Sequence, residues 1–157
     1  MINETTTSKL NDMRLAAMAH TYRTQLSDAS FQGLSFEERF GLIVDIEWAR
    51  RKNNKLARLI KNADFKFSQA CIEDLEYHTD RKLDKTQLIR LSSCQYIAEK
   101  HNLIIMGASG NGKSYMGCAF GVAACRNYYT VKYVRLPDLL DELAVARGEG
   151  IFKKTMK

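Results

Sequence analysis

The 157-residue sequence predicts an α/β protein: an N-terminal helical module followed by the first βαβ unit of a three-layer parallel sheet built on a phosphate loop, incomplete at its C-terminus. Three observations predict it. The N-terminal third carries apolar side chains at helical spacing behind recognisable caps. Residues 102–106, N-L-I-I-M, form a short continuous apolar run of the kind found in buried parallel strands. Directly after that run stands an uninterrupted G-x-x-x-x-G-K-S, and a helix-like segment follows it.

Taken in order, Leu10, Met13, the pair Ala17 and Met18, and Tyr22 recur at spacings of three to five behind a cap at Thr7 or Ser8, which predicts one amphipathic helix over residues 9–26. Residues 28–34, with Ser30 and Gly33, read as a turn. Ser35-Phe36-Glu37-Glu38 then has the form of a capping box, in which the serine oxygen accepts one amide and Glu38 returns to another. The long helix that starts there carries Phe40, Ile43, Ile46, Trp48, Ala49, Leu56 and Ile60 towards Lys61, with Asn53-Asn54 as a potential break. Along it Arg50, Arg51, Lys52, Lys55, Arg58 and Lys61 place six positive charges and no acid in twelve residues. At about 100° per residue they cover a broad arc opposite Ile46, Ala49, Leu56, Ala57 and Ile60. That arc is either a solvated face or a surface for nucleic-acid phosphates, and charge alone does not choose.

From residue 63 to 79 the periodicity is lost and Phe65, Phe67 and Tyr77 are scattered among acids. The domain boundary is expected here, with a DNA- or partner-binding helical module over residues 1–66 and a nucleotide-binding part over 67–157. Asp84 and Gln87 offer a second cap before Leu88, Ile89 and Leu91 on a short helix.

In the phosphate loop itself, Gly107, Gly110 and Gly112 allow the backbone turns that aim successive amides inward, and Ala108, Ser109 and Asn111 contribute backbone groups. Together with a helix N-terminus these amides make an anion nest. Lys113 is expected to reach the β and γ phosphates, and the Ser114 hydroxyl to ligate a nucleotide-borne Mg²⁺. Behind the loop, Cys118, Gly121, Val122 and Cys125 fall on one stripe of a helix over residues 113–127. Val131-Lys132-Tyr133-Val134-Arg135-Leu136 alternates like a strand, and Pro137-Asp138 opens a further helix that Gly148 and Gly150 end. Leu139-Leu140-Asp141-Glu142 imitates the acidic end of a Walker B strand, but Pro137 and the leucine spacing assign it to that helix.

The remaining composition narrows the function. Cys71, Cys94, Cys118 and Cys125 form no C-x-x-C pair, and His20, His78 and His101 have no metal-ligand spacing, so reduced, buried thiols are expected. No apolar run approaches the roughly 20 residues of a membrane span, and residues 1–9 lack signal-peptide order, which predicts a cytoplasmic protein without a membrane partner. The net charge of +6 favours a polyanion only where it is concentrated.

Several segments together carry a family likeness. K-L-N-D-M-R-L-A-A-M at residues 9–18, L-S-F-E-E-R at 34–39, E-W-A-R-R-K-N-N-K-L at 47–56 and R-L-P-D-L-L at 135–140 resemble the IstB-like transposition helper ATPases. These are AAA+ proteins similar to the DnaC helicase loader, and the likeness runs over nearly the whole chain. The resemblance implies an ATP- and Mg²⁺-dependent, DNA-binding homo-oligomer that assists a partner transposase. The related alternatives are a replicative helicase loader acting in DNA replication and a shortened, non-hydrolysing binding module. The loop reads G-A-S-G-N-G-K-S where the family commonly has G-P-P-G-T-G-K-T, which keeps every position the chemistry needs. No Walker B acid or arginine finger is identifiable after Ser114, so no catalytic residue is assigned and hydrolysis is left open.

Overall fold

The computed structural model describes residues 2–76 and 83–155; Tyr77 and His78 lie outside them. The chain divides into two compact units, Met1–Lys55 and Leu56–Lys157.

In the first unit the expected helix over 9–26 is two helices, α1 (Ile2–Asp12) and α2 (Ala16–Ser27). They run back along each other, with the Tyr22 hydroxyl donating to Asn3 at 3.0 Å. The break lies at Arg14, which takes the left-handed conformation (φ 60°). Leu15 N–H then reaches back to the Leu10 carbonyl at 2.8 Å and closes α1. Nothing in the local apolar period announces this corner. It is held from a distance by α3, as described below.

Asp28 accepts the Ser30 amide at 2.9 Å and starts a single 3₁₀ turn, Ala29–Phe31. The capping box then forms as the sequence predicts: Glu38 N–H donates to Ser35 Oγ at 3.2 Å, and Ser35 N–H donates to Glu38 Oε2 at 2.7 Å. It opens α3 (Phe36–Ala63), 28 residues without a break at Asn53-Asn54. Ser35→Ala is expected to cost about 1 kcal/mol, read as a lower urea midpoint with an unchanged slope.

The second unit is built around α6 (Lys113–Arg126), which is buried on nearly every side rather than along one stripe. Met116, Cys118, Ala119, Phe120, Val122, Ala123, Ala124 and Cys125 are all enclosed. Gly121 contributes through close approach, because a Cβ there would run into the Phe65 ring. Ile72, Leu75, Leu88 and Cys94 complete the core. Asp84 caps α4 (Lys85–Ser92) by accepting the amides of Thr86 and Gln87 at 2.8 and 3.2 Å. The short α5 (Gln95–Ala98) follows, and after α6 come α7 (Leu136–Gly148) and α8 (Phe152–Thr155). Three cysteines are buried as expected, whereas Cys71 is half-buried, donating its thiol to Glu73 beside the Arg126 guanidinium.

The predicted βαβ unit requires correction, for no strand ladder is present among the described residues. The local pattern of strands is nevertheless visible. Leu103 and Ile105 are half-buried against the α6 core while Ile104 and Met106 are 78% and 88% exposed, and Val131 and Tyr133 alternate in the same way with Lys132 and Val134. Both segments flank α6, yet they exchange no backbone hydrogen bonds with each other; Tyr133 N–H goes instead to the Ala63 carbonyl at 2.8 Å. A strand is completed by its neighbour, and among the described residues neither segment pairs with one. Asp141 and Glu142 lie within α7, with Glu142 accepting from Lys132 at 3.2 Å, so the Walker B imitation is helical.

Candidate functional site

The phosphate loop lies between the segment ending at Met106 and the first turn of α6. Gly110 and Gly112 have φ of 83° and 77°, a region that costs other L-residues about 1–2 kcal/mol, and Gly112 is the residue on which α6 begins. It has no side chain to cap the helix, and Met116 N–H is the amide that returns to its carbonyl, at 2.9 Å. The helix therefore starts with amides aimed out of its N-terminus and no side chain across them, an arrangement that suits an anion.

Lys113 is half-buried and donates from Nζ to the Ala108 carbonyl at 2.6 Å, closing the loop on itself. Ser109, Ser114 and the loop glycines are exposed. Beside the loop is a cavity of about 380 Å³ lined by Leu83, Ile105, Met106, Gly107, Asn111, Lys113 and Met116. Asn111 and Lys113 bring polar donors to its lining, Leu83, Ile105, Met106 and Met116 bring apolar side chains, and none of the lining residues is acidic. The loop thus fits a phosphate group on three grounds: the uncapped helix start, a cation already aimed across the loop, and glycines where backbone must approach closely. Ser114, the second residue of α6, is exposed.

Leu83 is a lining residue that sequence reasoning did not single out. Its position just before the Asp84 cap was the available signal, since a cap fixes the direction from which the preceding residue arrives.

The six basic residues of α3 do not form one uniform face. In the first unit Arg50 and Arg51 turn towards Glu47, donating to its Oε1 at 2.8 Å each, and both also reach the Arg14 carbonyl at 3.3 Å. Glu47 Oε2 accepts the Ala17 amide at 3.1 Å, so one buried carboxylate caps α2 from another helix while two guanidiniums brace the corner. The Arg50 hydrogen bond, with help from Arg51 and the Ala17 amide and against the effect of burial, pulls the Glu47 pKa down to about 2. Glu47 is not among the sequence-derived candidates, although an acid on the Ile43 side of α3 with arginines three and four residues on is a readable sign of such a clamp.

The inner side of α3 in this unit is therefore Ile43, Glu47 and Arg50, whereas Ile46 and Ala49, expected at the front, are exposed. Lys52 lies over the Trp48 ring at 4.9 Å, and Lys55 is exposed. In the second unit Arg58 and Lys61 are exposed on the last turns of the helix. Among the described residues no three His, Cys, Asp or Glu side chains come together as a metal site, and no helix is long and apolar enough to cross a membrane.

The model of the IstB-like ATP binding protein family matches residues 8–157. An insertion sequence IS1162 protein of Pseudomonas fluorescens, described as ATP-binding, is 40% identical over the whole of this chain and 68% of its own length. A similarly described insertion-sequence protein of Sinorhizobium fredii is 37% identical over the whole chain and 64% of its own length. One from insertion sequence IS232 of Bacillus thuringiensis is 22% identical over 96% of this chain and 60% of its own length. The chain spans about two thirds of the length of these relatives, and its loop, helix and N-terminal signatures all lie within the match. It belongs to the family of IstB-like ATP-binding proteins.

Proposed function

We propose that this chain binds ATP at the phosphate loop and serves as a transposition helper, contacting DNA through α3 and assisting a partner transposase as part of a homo-oligomer. The observation that carries the reading is the loop closed by Lys113 on an uncapped helix start. Lys113 Nζ would hold phosphate oxygens in place of the Ala108 carbonyl, the amides of the first turn of α6 would donate to the same phosphates, and Ser114 Oγ would ligate a Mg²⁺. The cavity wall of Leu83, Ile105 and Met116 offers apolar surface to the remainder of the nucleotide. Phosphate binding needs only these groups. Hydrolysis further needs a residue to orient water, and the cavity lining supplies no acid for it, so the reading is nucleotide binding.

Thermal unfolding with and without Mg-ATP tests this. Nucleotide present at about 100 times its Kd should add about 2.7 kcal/mol to stability, and an unchanged transition at saturating nucleotide would refute it.

The DNA reading takes in all six basic residues of α3; Arg50 and Arg51 also hold Glu47 and the Arg14 carbonyl, so their loss would disturb the fold, and the test is made on Lys52, Lys55, Arg58 and Lys61. Replacing those four with Ala should flatten the salt dependence of DNA retention by about 0.9 in log–log slope for each phosphate no longer neutralised. Replacing Arg50 should act on stability instead. Equal salt slopes for wild type and the quadruple variant would remove α3 from the DNA surface.

A further inference from the structure

The capping box accounts for only part of L-S-F-E-E-R at residues 34–39: it employs Ser35 and Glu38 and leaves Phe36 and Arg39 over. Both line a groove of about 400 Å³ in the first unit. Its apolar lining is Leu10 of α1, Met18 and Leu26 of α2, and Phe36, Phe40 and Ile43 of α3. Ile43 is buried, whereas Phe36, Phe40 and Leu26 are 68%, 51% and 50% exposed, and the two phenyl rings stack with centroids 5.8 Å apart. One exposed apolar side chain is ordinary; three large ones around the same groove mark a surface that gains by being covered. The polar lining differs residue by residue. Tyr22 donates to Asn3, Gln25 Nε2 donates to the Arg39 carbonyl at 2.8 Å and so ties α2 to α3, and Thr6 is not free either. Arg39 Nε, by contrast, is shielded from solvent and has no hydrogen-bond partner among the described residues. Arg39 is also the one charged residue of the lining.

We propose that this groove docks a segment of a partner protein that presents a large apolar side chain to Phe36, Phe40 and Leu26 and, beside it, a carboxylate to Arg39. Charge complementarity selects the occupant. A shielded guanidinium N–H without an acceptor costs free energy, and a carboxylate satisfies Nε and a neighbouring Nη together through two parallel charge-assisted bonds. A neutral apolar segment would cover the rim and leave Nε unpaired. A nucleic acid would bring phosphates to a lining that has a single cation among apolar side chains, with no second positive charge to follow its backbone. An acidic, apolar peptide matches both parts of the lining, and peptides of this kind are held by an apolar anchor for affinity and a paired charge for orientation. The site uses no residue of the phosphate loop and stands without the nucleotide reading.

Phage-displayed random twelve-residue peptides, selected on the full chain without nucleotide, supply the probe. Selection is expected to enrich sequences that join Leu, Phe or Trp to Asp or Glu. A fluorescein-labelled copy of the most enriched peptide is then titrated by anisotropy, with circular dichroism to confirm unchanged helix content in each variant. Arg39→Gln should weaken binding roughly 10- to 150-fold, the loss of a charge-assisted hydrogen bond. Arg39→Lys, which keeps the charge but not the fork, should recover only part of it. Phe36→Ala, at an exposed position, should weaken binding about tenfold by removing one wall of the anchor site. Changing the peptide's acid to its amide should weaken binding to the wild type but hardly alter binding to Arg39→Gln. Failure to enrich any peptide, enrichment of sequences without an acid, or affinity unchanged in both Arg39→Gln and Phe36→Ala would overturn the proposal. So would sedimentation showing a wild-type dimer that Phe36→Ala dissociates, because a second copy would then cover the groove.

Discussion

Lys113→Ala is expected to weaken Mg-ATP binding by roughly 10- to 150-fold, the loss of about 1.5–3 kcal/mol for a charge-assisted hydrogen bond, while leaving the helical first unit unchanged. The side chain is the loop's own cation. It donates to the Ala108 carbonyl at 2.6 Å, so its removal also frees an exposed carbonyl that water can satisfy. The cost to folding should accordingly stay near zero and the cost to binding should be large. Lys113→Arg is a useful companion, because it keeps the charge but spreads it over a planar fork too large for the same position. Titration with a fluorescent ATP analogue distinguishes the outcomes, and equal affinity in the alanine variant would show that the nucleotide binds elsewhere.

The second large effect falls far from the loop. Glu47→Ala should destabilise the first unit by about 1–3 kcal/mol, because it strips the Ala17 amide of its acceptor and leaves the Arg50 and Arg51 guanidiniums facing one another without a carboxylate. The arginine side chains are 40% and 57% exposed, so water screens part of the loss. The same clamp has a pH signature. Its folded pKa of about 2 lies below the ordinary 4.5, so the stabilisation is fully present above the unfolded value and is lost as the pH falls from there through about 2. Urea midpoints measured across that window should fall for the wild type and change less in Glu47→Gln. Parallel pH profiles for the two proteins would assign the acid sensitivity to another group.

These two sites mark what can and cannot be read from the chain. The conformation of the loop before α6 is legible because its requirements are local: glycines at the positive-φ positions, a lysine and serine at the helix start, and an apolar run before them. The same holds for the Ser35–Glu38 box and the Asp84 cap, where donor and acceptor are three residues apart or fewer. The corner at Arg14 is not legible, since residues 9–26 keep an apolar helical spacing and the break is stabilised by Glu47, Arg50 and Arg51 some 30 residues away. For the same reason the basic stretch reads as one face although two of its arginines are committed to that corner. The strands fail differently. Residues 102–106 and 131–134 have the alternating burial of strands, but a ladder depends on which segment lies alongside, and that is a property of the whole sheet.

The central claim is that the chain holds ATP by its phosphates at the loop that opens α6. Isothermal titration of the wild-type chain with Mg-ATP, repeated in the presence of excess AMP, tests it most directly. One saturable site per chain that AMP displaces poorly is the predicted result, because AMP lacks the β and γ phosphates with which the proposed contacts of Lys113 and the loop amides would be made. Absence of binding, or a site for which AMP competes as well as ATP, would contradict the account.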